Sequence, residues 1–240
     1  MKLDNKRTIL TGFAFLSICA FWQMYNSIVP LILTNTFHLN ETYSGAIMAA
    51  DNVLALFLLP LFGAISDRTN TKIGKRMPFI LFGTGCAIIL MNLLPLLDNS
   101  YAAAPSTFKT ISFVVVLGLL LVAMGTYRSP AVALMPDITP KPLRSKGNAI
   151  INLMGALGGV IYLGVAAVMY PNSKVAGLAH VNYQPLFMVV SAIMFVAIAI
   201  LFLTIKEPKL LEEQRELEKK HPEWNLAEDD GMNMMRFISL

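Results

Sequence analysis

Charged residues are scarce in this sequence. Only 14% of its 240 residues are Asp, Glu, Lys or Arg, and 55% are hydrophobic. In soluble domains about a quarter of the residues are charged. The composition therefore excludes an ordinary soluble domain and favours an integral membrane protein.

Cysteine and histidine are scarce too, with two and three residues. Cys19 and Cys86 fall inside apolar runs, where we expect buried thiols rather than a disulfide. His38, His180 and His221 are predicted in loops or in the tail. No metalloprotease, P-loop or nucleophile-elbow string occurs in the sequence. We therefore expect no enzyme, no catalytic residue, no metal site and no cofactor.

Long apolar runs, in contrast, occur six times. A helix that crosses a bilayer needs about 20 mainly apolar residues, because lipid offers the backbone no hydrogen-bond partner. The runs that reach this length are residues 8–33, 42–66, 78–97, 110–134, 147–170 and 183–205. The first is longer than the apolar core of a cleaved signal peptide. The sequence thus predicts an all-α bundle of six transmembrane helices over residues 1–205.

Basic residues are distributed unevenly between the two sides of these helices. One side carries ten of them, namely Lys2, Lys6, Arg7, Arg68, Lys72, Lys75, Arg76, Lys141, Arg144 and Lys146. The other side carries two, Lys109 and Lys174. Because basic loops resist translocation, we expect a plasma-membrane or inner-membrane protein with its N-terminus and residues 206–240 in the cytoplasm. This asymmetry accounts for the net charge of +4, so we expect no nucleic-acid partner.

The residues after 205 differ in composition. Residues 206–233 are rich in charge and predict a cytoplasmic linker with a short amphipathic helix. Apolar residues return over 234–240, which we interpret as the start of a seventh span. Six helices, a charged linker and a renewed apolar run are typical of the first half of a two-bundle transporter. We therefore expect a second, C-terminal bundle, missing from this sequence, as a partner besides the lipid bilayer.

One acidic residue lies deep in a predicted helix. Asp51 is about nine residues inside the second run, where a carboxylate costs at least about 2.5 kcal/mol. Such carboxylates commonly bind a proton or an ion, so Asp51 is the candidate for cation coupling. The alternative is a structural carboxylate that accepts hydrogen bonds from Asn26 or a tyrosine.

Arg128 is the only basic residue deep in a predicted span. Its candidate partners are substrate hydroxyls, Asp51 and Asp137, and the alternative is a side chain that extends to the membrane surface. Its depth in the bundle makes it a candidate for substrate binding.

Amide and indole groups cluster in the first run. Trp22, Gln23 and Asn26 share one helical face, and an indole beside amides suits the apolar face and hydroxyl rim of a sugar. Hydrogen bonds between packed helices are the alternative. Asn152 in the fifth run is expected to reach the same cavity. The candidate substrate-binding residues are thus Trp22, Gln23, Asn26, Arg128 and Asn152.

Four glycines lie close together within the fifth run. They are Gly155, Gly158, Gly159 and Gly164. Small residues at such spacings let helix backbones approach closely in a membrane. They predict tight packing of the fifth helix against a neighbour.

A short charged turn joins the second and third runs. Gly63, Asp67 and Arg68 form a Gly-x-x-x-Asp-Arg string, and Gly74 and Arg76 form a Gly-x-Arg string. Together they resemble the loop signature of the major facilitator superfamily. The resemblance implies the fold of that superfamily, with these six helices as its N-terminal bundle.

The spacing of the two strings narrows the resemblance. Gly74 stands seven positions after Asp67, a spacing similar to that of the sucrose-transporter-like and glycoside-pentoside-hexuronide:cation symporter branch. Residues 127–137 and 144–149 are similar to the same branch. The resemblance implies a secondary active transporter that carries a sugar or glycoside by alternating access, with a proton, or else sodium, as the coupling ion.

Charge pairs around the turn are suited to a gate, because they latch one face of the bundle and break when the bundles rock. The candidate gating residues are Gly63, Asp67, Arg68, Gly74, Arg76, Asp137 and Arg144. The resemblance implies the same role.

Two features keep alternatives open. Ala55 and Leu59 stand where melibiose-type members of the branch carry paired acids, which disfavours a sodium site of that type. The loop signature alone also fits a transporter of another small solute, including an efflux transporter. A third possibility is an inactive or pairing half-transporter that acts as a membrane scaffold.

Overall fold

A computed structural model of the chain describes residues 3–222 and Trp224. Six long helices follow one another, and a shorter seventh helix follows them. Their bounds are α1 Asn5–Leu31, α2 Glu41–Arg68, α3 Met77–Ala103, α4 Thr107–Asp137, α5 Arg144–Met169, α6 Gln184–Thr204 and α7 Glu207–Lys220. Helices α1 to α6 are each long and apolar enough to cross a membrane. The prediction of an all-α bundle with six spans is confirmed, whereas the predicted seventh span at 234–240 lies outside the described residues.

Most helices extend a few residues beyond the apolar runs, and polar side chains cap the starts of α1 and α2. The Asp4 carboxylate accepts a hydrogen bond of 3.0 Å from the Arg7 amide at the start of α1. Asn40 caps α2 through the Thr42 amide at 2.6 Å. After Pro30, the end of α1 widens into a π-helical turn over Ile32–Thr36. Caps and turns of this kind lie at the membrane surface, where an apolar pattern has already ended.

Helix α1 lies at the centre of the bundle. It packs along α5 and α6, while α3 packs against both α4 and α6. Helix α2 packs mainly on α4, and no residue of its most apolar window is buried. Cys19 and Cys86 are free thiols, half-buried within α1 and α3 rather than buried as expected.

Gly155 and Gly158 of α5 explain the close approach of α1. A Cβ atom on Gly158 would lie 2.1 Å from the Leu16 carbonyl oxygen, and one on Gly155 would lie 2.9 Å from the Cys19 Sγ. A Cβ atom on Gly159 or on Gly164 would have no atom of another described residue within 4 Å. The predicted tight packing therefore holds for Gly155 and Gly158 only, because the other two point away from α1.

We expect Gly158→Ala to destabilise the bundle, because the added methyl group meets a backbone atom of α1 that has little freedom to move. Overpacking of this kind costs about 1–3 kcal/mol. The free energy of unfolding, measured by SDS titration in mixed micelles, reports the loss.

Gly159→Ala is the matched control, since the same methyl group enters open space one residue along α5. It should gain up to about 1 kcal/mol from helix propensity alone. Equal stability of the two variants would contradict the assigned α1–α5 contact.

Candidate functional site

A small cavity lies between α1, α2 and α4. Its volume is about 20 Å³, enough for a water molecule but not for a sugar. Trp22, Asp51 and Arg128 supply its polar groups. The rest of the lining is apolar and consists of Leu54, Ala55, Leu58, Leu59, Leu121 and Gly125. Three of the residues singled out by the sequence thus meet in one cavity.

The guanidinium of Arg128 lies over the indole of Trp22. Its central carbon is 5.6 Å from the ring centroid, within the range of a cation–π interaction. Arg128 is half-buried and forms no ion pair within 4 Å with Asp51 or Asp137. Neither Asp51 nor Asp137, the two acids considered as its partners from the sequence, therefore pairs with Arg128.

The neighbouring Tyr127 fixes this part of α4 against α1. Its side chain is fully buried, and its hydroxyl donates a hydrogen bond of 2.8 Å to the Ala14 carbonyl oxygen. The Ser17 hydroxyl also contacts the Tyr127 hydroxyl. Because Arg128 follows directly, these bonds set the height at which its side chain leaves α4. This role is not evident from the sequence, since a tyrosine in an apolar run carries no signal of its partner.

Three buried polar atoms near this cavity have no hydrogen-bond partner among the described residues. They are the Trp22 Nε1, the Tyr25 hydroxyl and the Asp51 Oδ1. Tyr25 also lies within electrostatic reach of Asp51. Unpaired polar groups are costly in an apolar interior, so such atoms are expected to bind water or a ligand.

The remaining predicted binding residues lie elsewhere. Gln23 is half-buried, and Asn26 and Asn152 are exposed. None of them lines the cavity. The buried face of α5 includes Ile151 and Gly155 and turns toward α1, which leaves Asn152 on the outer surface. The structure therefore brings together Trp22, Asp51 and Arg128, but not these three amides.

A second polar cluster lies at the end of the bundle that holds the α2–α3 loop, the α4–α5 loop and the start of α7, here called the basic end. Arg76 is its centre and is only 4% exposed. Its Nε donates to Asp137 Oδ2 at 2.9 Å, and its Nη1 donates to the Gly63 carbonyl oxygen at 3.3 Å. The guanidinium also donates to the Ser66 hydroxyl and to the Asp67 carboxylate. One arginine thus joins the ends of α2, α3 and α4.

Lys75 reinforces the same cluster. Its Nζ lies 2.9 Å from Asp137 Oδ2 and 3.7 Å from Asp67 Oδ1. Arg68 is exposed without an ion pair to any described residue, and the Arg144 Nε donates to the Thr139 carbonyl oxygen at 3.3 Å. Five of the seven predicted gating residues therefore meet here, and Arg68 and Arg144 do not.

Glu207 completes the cluster. It is not among the residues predicted from the sequence. Its carboxylate is fully buried and accepts hydrogen bonds of 2.9 Å from the amides of Lys75, Arg76 and Met77. It thereby caps α3 from the start of α7. Gly74 is required beside it, because its φ is +120° and a Cβ there would lie 2.2 Å from Glu207 Oε2.

A signal for Glu207 is present in the sequence. It follows the sixth apolar run directly and precedes Pro208, and Pro is favoured in the first turn of a helix. Six spans return the chain to the side of the basic loops, so this acid is expected to lie near their cations.

No group of three or more His, Cys, Asp or Glu side chains in residues 3–222 is placed to hold a metal ion.

Comparison with known proteins supports the resemblance seen in the sequence. Residues 11–235 match the sequence profile of the Major Facilitator Superfamily. A sucrose transport protein of Arabidopsis thaliana is 27% identical over 154 residues, which are 58% of this chain and 25% of the relative. A sucrose transport protein of Oryza sativa is 30% identical over 123 residues, 45% of this chain and 24% of the relative.

The alpha-ketoglutarate permease of Escherichia coli is also similar, with 27% identity over 180 residues, 72% of this chain and 37% of the permease. The chain thus spans only about a quarter to a third of the length of these curated relatives. All three are named as transporters, which agrees with the expectation that this chain is not an enzyme.

We expect Glu207→Ala to free the first amides of α3. Hydrogen bonds to a charged group are worth about 1.5–3 kcal/mol each, so exchange of the Lys75, Arg76 and Met77 amides should accelerate by about tenfold to a hundredfold. Hydrogen–deuterium exchange of a peptide that covers residues 74–80 measures this.

Glu216→Ala removes a similar charge from an exposed position of the same helix and should leave this exchange unchanged. If both variants protect the α3 amides as the wild type does, Glu207 is not the cap.

Proposed function

The chain belongs to the major facilitator superfamily, and we propose that it is the N-terminal half of a transporter that carries a sugar or glycoside together with a proton. The six-helix bundle is the half that the fold of this superfamily requires. In transporters built from two bundles, the substrate site lies between the bundles near the middle of the membrane. A second bundle would accordingly supply the other part of the site.

The observation that carries this proposal is the unpaired polar group of Trp22 beside those of Tyr25 and Asp51. A sugar ring has an apolar face that suits an indole and hydroxyl groups that both donate and accept. Arg128 adds a cationic donor over the same indole. The cavity of about 20 Å³ admits no sugar, so substrate binding requires this region of α1, α2 and α4 to open.

Asp51 is the coupling residue in this proposal. Its Oδ1 is buried without a hydrogen-bond partner among the described residues. Arg128 lies over Trp22 and forms no ion pair within 4 Å with the Asp51 carboxylate. Asp51 is the one carboxyl among the described residues that line this cavity, and we assign to it the proton that is taken up and released as the cavity opens and closes. Ala55 and Leu59 line the same cavity, which provides no second carboxylate at those positions and favours a proton over sodium.

The cluster around Arg76 serves as the gate. It joins α2, α3 and α4 at one end of the bundle through the hydrogen bonds that the Arg76 side chain donates to Gly63, Asp67 and Asp137. Rocking of the bundles would break some of these ion pairs and form them again. The basic loops favour the cytoplasm for this end, and a plasma or inner membrane for the protein.

A dicarboxylate is the second candidate substrate. Arg128 is a half-buried cation without an acidic partner, and arginine binds carboxylates in a bidentate manner. The similarity to the alpha-ketoglutarate permease covers more of this chain than that to the two sucrose transport proteins. Two substrate classes therefore need to be compared directly.

Asp51→Asn in the complete gene product should abolish accumulation of substrate against its gradient, because the amide cannot release a proton. Counterflow exchange of labelled substrate should persist, since the binding groups on Trp22 and Arg128 remain. Uptake into proteoliposomes with and without an imposed pH gradient measures both processes.

Asp51→Glu keeps a titratable carboxyl and should retain part of the pH-driven uptake. Accumulation by Asp51→Asn at the wild-type level, with equal amounts of protein in the membrane, would remove Asp51 from the coupling role.

Ligand-induced stabilisation decides between the substrate classes. Sucrose and related glycosides should raise the Tm of the complete gene product by about 5 °C near saturation. Trp22→Ala should remove this shift, whereas Trp22→Phe should keep part of it because an aromatic face remains.

The competing outcome is equally clear. A shift with alpha-ketoglutarate but not with sugars, lost in Arg128→Lys because the bidentate guanidinium is gone, would replace the sugar by a dicarboxylate. A shift with cationic drugs instead would indicate efflux. If sugars, alpha-ketoglutarate and cationic drugs all leave the Tm unchanged, the inactive or pairing half-transporter that acts as a membrane scaffold is favoured.

A further inference from the structure

A second, larger cavity lies at the basic end, on the opposite side of α7 from the Arg76 cluster. It has a volume of about 270 Å³ and opens between the start of α1 and the junction of α6 with α7. Its charged residues are Asp4, Lys6, Arg7, Lys206, Lys209 and Glu213, and its other residues are Leu10, Thr204, Ile205 and Leu210. Neither the gate nor the central cavity uses these groups.

Positive charge dominates this cavity, since four basic residues face two acidic ones. Glu213 is shared, because its carboxylate lies 3.6 Å from Arg7 and 4.0 Å from Lys209. Asp4 is engaged as the cap of α1. Lys6 and Lys206 form no ion pair with any described residue. The cavity therefore retains cationic donors that no described residue neutralises.

Its position matches the surface of a membrane. The candidate spans begin at Asn5 and end at Thr204, so the cavity lies at the ends of α1 and α6. Leu10 and Leu210 form its apolar wall. Next to it, Leu203 is 68% exposed and extends the apolar surface toward the middle of the span. Cationic groups thus lie at headgroup depth and apolar groups at the depth of the acyl chains.

We infer that this cavity binds the phosphate headgroup of an anionic phospholipid. Basic pockets between transmembrane helices are suited to such headgroups, since the phosphate meets lysine and arginine while the chains lie on apolar surface. The linker as a whole carries more acidic than basic residues, which argues against a general electrostatic anchor. Lys206 and Lys209 of the linker nevertheless line this cavity together with Lys6 and Arg7.

The bound lipid would hold α7 in place. Lys206 and Lys209 flank Glu207 in sequence, and Glu207 caps α3 on the other side of the same helical turn. A headgroup between α1 and α7 therefore stabilises the turn that also carries the cap. The membrane then acts directly on the loop that contains the Arg76 cluster.

Lipid titration of the purified 240-residue chain in a neutral detergent tests this inference. Phosphatidylglycerol should bind, as measured by native mass spectrometry, whereas phosphatidylcholine and glycerol phosphate should bind far more weakly. The double variant K206Q/K209Q should lose about 30-fold in affinity for phosphatidylglycerol, because each basic residue near the headgroup contributes about fivefold.

K219Q/K220Q is the matched control. It removes the same charge from the far end of α7, away from the cavity, and should bind like the wild type. A gel-filtration profile and a lipid-free Tm establish that each variant is folded. If K206Q/K209Q is not folded, Lys6→Gln on the opposite wall replaces it, with an expected loss of about fivefold.

Three outcomes would overturn the inference. Equal losses in both double variants would mean that only the overall charge of α7 matters. Equal binding of phosphatidylcholine would mean that the acyl chains bind without the phosphate being recognised. Equal binding of glycerol phosphate would make this a site for a soluble phosphate rather than for a lipid.

Discussion

The whole structure depends on one constraint, which is that polar groups in a hydrocarbon environment must find partners within the protein. In the six long helices the backbone amides and carbonyl groups hydrogen-bond within each helix. Most polar side chains in them form hydrogen bonds within their own helix or to one neighbouring helix. The Asn92 amide, for example, donates to the Ser191 hydroxyl at 2.6 Å and joins α3 to α6. Among the described residues, the unpaired atoms of Trp22, Tyr25 and Asp51 are three of several exceptions, and Trp22 and Asp51 line one cavity.

The basic end obeys the same constraint by pairing helix ends with side chains. The first amides of a helix have no acceptor within it, and the last carbonyl groups have no donor. Glu207 accepts from the amides that begin α3, while the Arg76 side chain donates to the Gly63 carbonyl oxygen within α2 and to Asp137 at the end of α4. Because Arg76 uses both its backbone and its side chain, four helices meet at one residue.

The number and place of the spans could be predicted, because apolar length is a local property of the chain. The α2–α3 loop could be recognised as well, since its strings are contiguous. The partner of Arg128 could not, because Trp22 lies more than 100 residues away in the sequence. The same holds for Glu207, which lies 131 residues from Arg76, and for the different surroundings of Gly158 and Gly159. Side-chain direction in a helix turns by about 100° per residue, so neighbouring glycines that look equivalent in sequence face different surfaces.

The cavity and the gate share two helices. Asp51 and Asp67 both belong to α2, and Arg128 and Asp137 both belong to α4. Between the two levels, the Ser129 hydroxyl donates to the Leu59 carbonyl oxygen at 2.7 Å. A Cβ on Gly63 would come within 3.2 Å of the same hydroxyl. This contact fixes the separation of α2 and α4 midway between cavity and gate. In the proposed transport cycle, widening of the cavity by substrate would tilt one helix against the other about this point and would change the distances from Asp67 and Asp137 to Arg76. On that proposal, α2 and α4 themselves would couple the two sites.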